Sequence, residues 1–497
     1  MEYYTPSRMR YDQRRETMEK STNTLTKKYG VLMTFCMVVG TVIGSGIFFR
    51  NEVILAAIGH NMWYGVAAWG IGGLITLTIA YVFSTLAVRN TEHPGLVGLS
   101  EMLLGRRYGY LFGWFLATIF FPSLTGILAW VAARFTVVLF GWDVDPSFSG
   151  YTYMLAAFYL IAIFAMTTLS PKLAARFHVT CTVIKVIPLI VMGVVGTILG
   201  LVNGVTFDNL NSVGFIAPSA AAAAEAGVSF NPFFVALVAT VFAYIGWEAV
   251  LNVAGEVKNP KKNMPIALVG GMLVIIAIYV AYFVGLFGAA PLEYIAGPGG
   301  VRYAFVNLFS EFAGTALFVF VIISCLGTLN GLTIGGQKLF YALATKRSGF
   351  NPDLFSQVDR ATNMPNNSAI LFLFSVVTWM VIYGANFTGW YGEFFSDISG
   401  GRVAIFDIAG LVPITLNSFL IPVFVMTMIK QKELGFFNRF VAPAAATAGA
   451  CFLIYAAVYT QMGAAIFYIA FFAVVMGIGL LYYRKKTEIE VESTSDV

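Results

Sequence analysis

Long apolar segments, separated by short polar stretches, recur along the chain from residue 31 to residue 483. Several contain 18 or more residues, and about 20 apolar residues in a helix are enough to cross a bilayer. A membrane β-barrel would instead show alternating segments of about ten residues. The pattern predicts an all-α polytopic membrane protein with twelve transmembrane helices, at residues 31–58, 63–88, 109–140, 151–168, 178–203, 232–255, 265–289, 303–345, 367–384, 403–429, 438–460 and 463–483. The eighth segment is too long for one span, so we expect it to continue into the cytoplasm.

The first apolar segment is interrupted at its middle by Gly44, Ser45 and Gly46. Glycine costs about 1 kcal/mol in a helix, and serine competes for backbone hydrogen bonds. Backbone freed at membrane depth is tolerated only where it is buried in protein or lines a watery cavity. A helix broken here presents free N–H groups on one half and free carbonyls on the other, which attract a carboxylate and an ammonium. A zwitterion fits such a gap. The alternative is that these small residues form a face on which another helix packs closely. The triplet alone does not decide between a helix break that binds a ligand and such a packing face.

A second interrupted helix follows five spans later, where Gly246 and Glu248 lie near the centre of the sixth segment. Two Gly-interrupted spans in corresponding positions indicate an inverted-repeat transporter; the alternative is two unrelated kinks. The predicted organisation is a five-plus-five inverted repeat with broken helices 1 and 6, followed by two further helices. Its parts are a cytoplasmic tail at 1–30, a transport core at 31–429 with repeats 31–203 and 232–429, helices 11 and 12 at 430–483, and a second cytoplasmic tail at 484–497.

Charge sets the expected orientation of these spans. Only 11% of the residues are charged and 58% are hydrophobic, whereas soluble domains carry about 25% charged residues. Of the 30 lysines and arginines, 24 fall in tails and loops on one side of the predicted membrane and two on the other. Because positive residues are retained inside the cell, we expect both termini to be cytoplasmic, in the plasma membrane. The net charge of +5 therefore reflects the orientation of the protein in the membrane, and it gives no reason to expect a nucleic acid partner.

The residues also argue against an enzyme, a channel or a metalloprotein. All four cysteines lie inside predicted spans, which disfavours a disulfide framework or a cysteine metal site. An intramembrane enzyme needs a positioned acid–base set or metal ligands. The three histidines, His60, His93 and His178, are widely separated and lie near predicted membrane surfaces. A channel needs a repeated pore-lining filter, and none is evident. We expect no metal and no cofactor.

Two charges inside predicted spans are candidate functional groups. Lys185 lies seven residues inside the fifth segment. A lysine at mid-span costs about 2.5–3.5 kcal/mol and is a functional hypothesis by default, with extension to the membrane surface as the alternative. Glu248 is expected to attract a cationic substrate, to carry a proton or to pair with an arginine, and pairing is favoured. Arg134 and Lys338 lie near span ends and are expected to extend to the surface.

Several motifs resemble those of the amino acid–polyamine–organocation superfamily. Gly44 to Phe48 resembles its first-helix motif, and Phe242 to Trp247 resembles the sixth-helix signature of its L-type amino acid transporter branch. Residues 256–265 are similar to the loop after that helix, Cys325 to Gly331 to the eighth helix, and Thr182 to Lys185 to the fifth. The matches run in family order from about residue 30 to 370. The resemblance therefore points to an amino acid permease, L-type amino acid transporter-like.

The resemblance implies a substrate site between the broken helices. The substrate carboxylate would meet the N–H groups of Ser45, Gly46 and Ile47, and its ammonium the carbonyls of Val42, Phe242, Ala243 and Ile245. Gly44 and Gly246 would be the hinges of the two breaks. Phe242 would be the aromatic gate over bound substrate. Ser123, in a Pro-Ser pair that resembles a substrate-facing pair of relatives, and Asn330, in the eighth-helix motif, are possible secondary site residues.

Lys185 matches a lysine that, in sodium-independent relatives, lies where sodium-coupled ones bind a cation. It would act as a built-in cation or, alternatively, as the proton site. The implied function is transport of amino acids, with neutral L-amino acids favoured, by sodium-independent exchange or proton-coupled uptake through alternating access. A cationic amino acid or polyamine antiporter is the alternative, favoured by Glu248. The loop at 141–150 has no cysteine, so no disulfide-linked ancillary subunit is expected.

Overall fold

The computed structural model describes residues 26–90, 95–147, 149–225, 231–387, 408–460 and 462–483. Within these residues, eleven helices are long and apolar enough to cross a membrane, and the apolar helix Met462–Leu481 follows them as the twelfth. The prediction of an all-α polytopic membrane protein is confirmed. The expected cytoplasmic tails fall largely on residues 1–25 and 484–497, which lie outside the described residues.

Both predicted broken helices are broken, while most other spans are continuous apart from short π-helical turns. Span 1 consists of Val31–Val42 and Gly46–Ile58, and span 6 of Pro232–Ala243 and Glu248–Asn252. The other spans, in chain order, are Met62–Arg89, Arg106–Phe140, Gly150–Leu169, Pro171–Val202, Pro260–Phe287, Glu311–Ala344, Asn366–Phe387, Ile408–Lys430, Phe437–Thr460 and Met462–Leu481. Shorter helices connect them at Gly95–Leu104, Val205–Asn211, Pro218–Glu225, Leu292–Ile295, Gly300–Leu308 and Pro352–Phe355.

Spans 1 and 6 lie side by side and run in opposite directions. The first half of span 1 packs on the second half of span 6, and the second half of span 1 packs on the first half of span 6. Spans 5 and 8 both pack against the first half of span 1, and span 3 packs along span 8. This places both helix breaks at the same depth inside the bundle. We call the end of the bundle at which span 1 begins the N-terminal face.

Burial separates the centre of the bundle from its apolar exterior. Met37, Val38 and Ile43 of span 1 are fully buried, whereas large apolar side chains such as Phe158 and Ile161 of span 4 are exposed. An outward-facing apolar belt of this kind suits a hydrocarbon environment, in which apolar side chains need no cover. Span 1 is therefore surrounded by protein, which allows its backbone to leave the helical conformation.

Two span boundaries differ from the prediction. Span 5 begins at Pro171, seven residues before the predicted start, because Lys172 and Arg176 lower the hydropathy of a helix that has already begun. The predicted eighth segment, 303–345, is not a single helix, because its first residues belong to the separate helix Gly300–Leu308. The helix that follows, Glu311–Ala344, is still longer than one span needs. At the other end, Glu311–Gly336 is followed by a turn and the short helix Leu339–Ala344.

Candidate functional site: the two helix breaks

The break in span 1 exposes both kinds of backbone group at one point. The first half-helix ends at Val42, where Ile43 turns to an extended conformation, and the next begins at Gly46. The first N–H groups of any helix have no carbonyl in a preceding turn. Those of Ser45, Gly46 and Ile47 therefore remain available, at the positive end of the second half-helix. A Cβ on Gly46 would lie 3.0 Å from both Cα and Cβ of Ala243, so this close approach of span 1 to span 6 favours glycine.

The break in span 6 places a carbonyl end opposite this N–H end. Its first half-helix ends at Ala243, and Gly246 then adopts φ +122°, a conformation open to glycine and strained for other residues. A Cβ on Gly246 would also lie 2.8 Å from the carbonyl oxygen of Thr41. The carbonyls at the end of this half-helix carry the partial negative charge of its dipole. The two breaks thus offer opposite partial charges to one ligand.

A small cavity lies between the breaks, with about 30 Å³ open to the centre of a water molecule. Its lining residues are all uncharged: Thr41, Val42, Gly44, Ser45, Gly46, Leu124, Ile127, Leu128, Phe242, Ala243, Ile245, Gly246, Thr328 and Leu332. Most of the predicted substrate-binding residues are among them. Ile47 is buried but is not part of the lining. The cavity combines backbone polarity at the breaks with apolar walls from spans 3 and 8.

Tyr279 of span 7 is a site residue that sequence reasoning missed. Its hydroxyl lies 3.0 Å from the carbonyl oxygen of Ala243 and 3.3 Å from that of Val42. Both carbonyls belong to the set predicted to bind the substrate ammonium. A hydroxyl has one proton and donates to one acceptor at a time, so one of the two carbonyls remains unpaired by it. The only signal in the sequence was a tyrosine within an apolar helix, a feature that several other spans share.

Lys185 lies behind the break in span 1 and is fully buried. Its ammonium nitrogen is 2.6 Å from the carbonyl oxygens of both Gly40 and Ile43, at the end of the first half-helix. On span 8, the Ser324 carbonyl lies 3.2 Å away and the Thr328 hydroxyl 3.1 Å away. An ammonium has three donors and no acceptor, so these four oxygens can satisfy it completely. Lys185 therefore places a positive charge at the negative end of a helix dipole and joins spans 1, 5 and 8.

Glu248 caps the opposite half-helix. Its carboxylate accepts a hydrogen bond of 2.8 Å from the Gly246 N–H and another from its own backbone N–H. Within the part of the chain that the structure describes, no arginine pairs with Glu248, so the favoured interpretation as an arginine partner is wrong. The side chain does not line the cavity. Lys185 and Glu248 thus occupy two of the four helix ends at the breaks, and neither of these two faces the cavity.

The remaining predicted residues lie outside the cavity lining. Ser123 is fully buried, and its hydroxyl donates to the carbonyl of Phe120 in its own span at 3.1 Å. Leu124, Ile127 and Leu128 line the cavity from span 3 in its place. Asn330 donates to the carbonyl of Ala174 at 3.1 Å and so links span 8 to span 5.

Phe242 borders the cavity, and a positive charge lies on its ring. The guanidinium carbon of Arg50, one turn after Gly46, is 4.8 Å from the ring centroid. The attraction between a cation and the face of an aromatic ring contributes about 0.5–2 kcal/mol, depending on the exposure of the pair to water. This contact joins the second half of span 1 to the first half of span 6, at the end of the cavity away from the N-terminal face.

Ionic contacts hold the N-terminal face together. The buried carboxylate of Glu256, just after span 6, pairs with Lys338 of span 8, and with Lys28, before span 1, at 2.8 Å. Lys338 is only 3% exposed, so the prediction that it extends to the surface is wrong. Burial and the Glu256 carboxylate raise the pKa of the Tyr29 hydroxyl well above its usual range. The backbone N–H groups of Lys28 and Tyr29 also donate to the Glu256 carbonyl, at 2.8 and 3.0 Å.

Comparison with known proteins shows the family of this chain. The chain matches the family described as amino acid permease over residues 29–490. It is 27% identical over 332 residues to the serine/threonine exchanger SteT of Bacillus subtilis strain 168, covering 66% of this chain and 71% of that protein. It is 25% identical over 383 residues to b(0,+)-type amino acid transporter 1 of Oryctolagus cuniculus, covering 76% and 75%. It is 27% identical over 355 residues to the aspartate–proton symporter of Bacillus subtilis strain 168, covering 68% and 64%.

The family and the names of these relatives indicate a membrane transporter rather than an enzyme. The chain belongs to the amino acid permease family, within the amino acid–polyamine–organocation superfamily. It is an integral membrane protein that transports amino acids by exchange or symport.

Proposed function

We propose that this transporter carries neutral amino acids, which it recognises through the backbone of the two helix breaks. The observation that carries this proposal is the cavity lining, which contains no charged side chain. The N–H groups of Ser45, Gly46 and Ile47 bind the carboxylate, and the carbonyls at the end of the first half of span 6 bind the ammonium. Leu124, Ile127 and other apolar walls then receive an uncharged side chain.

The position of Glu248 argues against a cationic amino acid or polyamine as the main substrate. A cationic substrate would bring a second positive charge into the site, and the cavity lining has no carboxylate that would pair with it. The Glu248 carboxylate faces the Gly246 N–H instead of the cavity. The serine/threonine exchanger among the relatives supports the same preference.

Transport is proposed to be independent of sodium. The Lys185 ammonium occupies the point where the carbonyls of Gly40 and Ile43 meet the oxygens of Ser324 and Thr328. A cluster of neutral oxygen ligands of this kind would suit a sodium ion, but the ammonium already fills it.

Alternating access is proposed to open and close the cavity between two gates. Phe242 with Arg50 forms one gate, and the ionic contacts of Glu256 form the other. The bias of lysine and arginine supports an orientation in which the N-terminal face is cytoplasmic, in the plasma membrane. We propose that the chain works without a disulfide-linked ancillary subunit, because the loop at 141–150 carries no cysteine.

Uptake into proteoliposomes tests the proposal. Liposomes containing the purified protein are loaded with or without unlabelled amino acids, and uptake of a labelled neutral amino acid is measured with sodium replaced by choline. Serine, leucine, aspartate, arginine and putrescine then compete for uptake. We expect neutral amino acids to compete best and removal of sodium to have no effect. Stronger competition by arginine or putrescine than by any neutral amino acid would overturn the proposal.

A further inference from the structure

The size of the cavity between the helix breaks limits the side chain that a substrate can bring. Only about 30 Å³ of the cavity is open to the centre of a water molecule, and a single water needs ~10–15 Å³ measured in this way. The carboxylate, the ammonium and the α-carbon of a bound amino acid take up the space next to the two breaks. Little volume therefore remains for a side chain, unless a wall of the cavity moves.

The walls that face this space are branched apolar side chains. Span 3 contributes Leu124, Ile127 and Leu128, and span 8 contributes Leu332. The three leucines are exposed by only 4%, 5% and 2% in chain order, so protein encloses each of them on the sides that do not face the cavity. Together these residues occupy the volume that a large substrate side chain would need.

Span 3 is supported from behind by span 9. An α-helix turns by about 100° per residue, so Gly126 lies on the opposite side of span 3 from Leu124 and Leu128. A Cβ on Gly126 would lie 3.3 Å from Cγ of Met380 and 3.5 Å from the carbonyl oxygen of Val376, both on span 9. The wall that span 3 forms therefore has no free space behind it into which it could move.

Span 8 is supported in the same way by span 5. Asn330 lies two residues before Leu332 and hence on the opposite side of the helix. It is fully buried and donates to the carbonyl of Ala174 on span 5 at 3.1 Å. Nearer the middle of span 8, a Cβ on Gly327 would lie 2.8 Å from Cβ of Cys181, also on span 5. Leu332 is thus held against the cavity from its far side.

We propose that the transporter selects small neutral amino acids, such as glycine, alanine and serine, and that Leu128 and Leu332 set this limit. The inference rests on the neutral substrate class proposed above and narrows it. A substrate with a larger side chain has to displace a wall that a neighbouring span supports. Such overpacking is unfavourable because it forces side chains out of their preferred rotamers, and one methylene in an apolar pocket already changes discrimination by ~10–200-fold.

The test enlarges the cavity with Leu332→Ala. This change removes an isopropyl group from the wall, and leucine exceeds alanine by the same group. The control is Leu329→Ala, because Leu329 is also fully buried on span 8 but does not line the cavity. The control therefore carries the general cost of truncating a buried leucine. Unlabelled glycine, alanine, serine, leucine, phenylalanine and arginine compete with uptake of labelled alanine into proteoliposomes that contain equal amounts of folded protein.

We expect alanine to compete at least about tenfold more strongly than leucine in the wild type and in Leu329→Ala. In Leu332→Ala, leucine should gain at least about tenfold relative to alanine. Leu128→Ala removes the same group from the wall of span 3 and should give a similar gain, so it provides the test if Leu332→Ala does not fold.

Competition by leucine as strong as that by alanine in the wild type would overturn the inference, but it would leave the proposed neutral class intact. This measurement needs no variant. An unchanged ratio in a folded Leu332→Ala variant, or an equal gain of leucine in Leu329→Ala, would also overturn it. Stronger competition by arginine than by any neutral amino acid in the wild type would instead refute the proposed function.

Discussion

Replacing Lys185 by alanine removes the ammonium that joins spans 1, 5 and 8. Its two shortest contacts are the 2.6 Å hydrogen bonds to the carbonyls of Gly40 and Ile43. Hydrogen bonds to a charged group contribute about 1.5–3 kcal/mol each, and breaking a buried charged contact typically costs about 3–5 kcal/mol. The penalty falls on the state in which the first half of span 1 is packed on spans 5 and 8.

A penalty of about 3 kcal/mol corresponds to a change of roughly 100-fold in a two-state equilibrium. The variant should therefore spend little time closed at the N-terminal face, a state that every transport cycle needs. We expect amino acid exchange and gradient-driven uptake to fall together in Lys185→Ala, each by about 10- to 100-fold. The control is Lys172→Ala, which removes an exposed lysine from the same span and should keep wild-type rates.

The assay measures exchange and gradient-driven uptake in the same proteoliposome preparation, with the amount of folded protein determined by size-exclusion chromatography. Selective loss of gradient-driven uptake in Lys185→Ala would refute the assignment of a fixed cation and make Lys185 the proton carrier. Unchanged transport in a well-folded variant would remove Lys185 from the mechanism.

Four further substitutions test other parts of the site. Gly46→Val should lower the affinity for substrate at least tenfold, because a side chain at this position is crowded by Ala243. The variant should still fold, and wild-type affinity in a scintillation proximity assay would contradict this prediction. Phe242→Ala should slow turnover more than it raises KM, whereas Phe242→Tyr should keep most activity, because a gate must fill space; equal rates for both would return Phe242 to a packing role. Glu248→Gln should preserve the preference for neutral over cationic substrates in competition assays; a gain of arginine uptake would contradict the assignment of Glu248 as a cap. Glu256→Gln should loosen the N-terminal face and speed alkylation of buried Cys36 in a Cys451→Ser background; an unchanged alkylation rate would argue against an ionic gate.

Both helix breaks were predicted from the sequence once the two interrupted spans were considered together. Gly44 to Gly46 and Gly246 interrupt apolar segments that are otherwise long enough to span the membrane, and glycine at mid-span usually marks either a break or a close approach of two helices. The mid-span charge of Lys185 also marked it as a candidate functional group, and in the structure its ammonium contacts spans 1 and 8. Local features of this kind are visible in a single segment of chain.

Features that depend on distant parts of the chain were not predictable. Lys338 was expected to reach the membrane surface, because its partner Glu256 lies 82 residues away, in a loop beyond another span. His178 is fully buried, and the prediction that it lies near a membrane surface is wrong because charged residues in the first turns of span 5 masked the start of that helix. The role of Tyr279 follows only from the packing of span 7 against both breaks, since a buried tyrosine has no local pattern that distinguishes a site residue from a core residue.

The central claim is that the backbone of the two breaks binds the carboxylate and the ammonium of an amino acid. Its most direct test is competition by two derivatives of the neutral amino acid that exchanges fastest in proteoliposomes. The amide lacks the carboxylate, and the N-acetyl compound lacks the ammonium. Because hydrogen bonds to a charged group contribute about 1.5–3 kcal/mol, each derivative should compete at least ~10-fold more weakly than the parent amino acid. Competition by either derivative as strong as that of the parent would contradict the account.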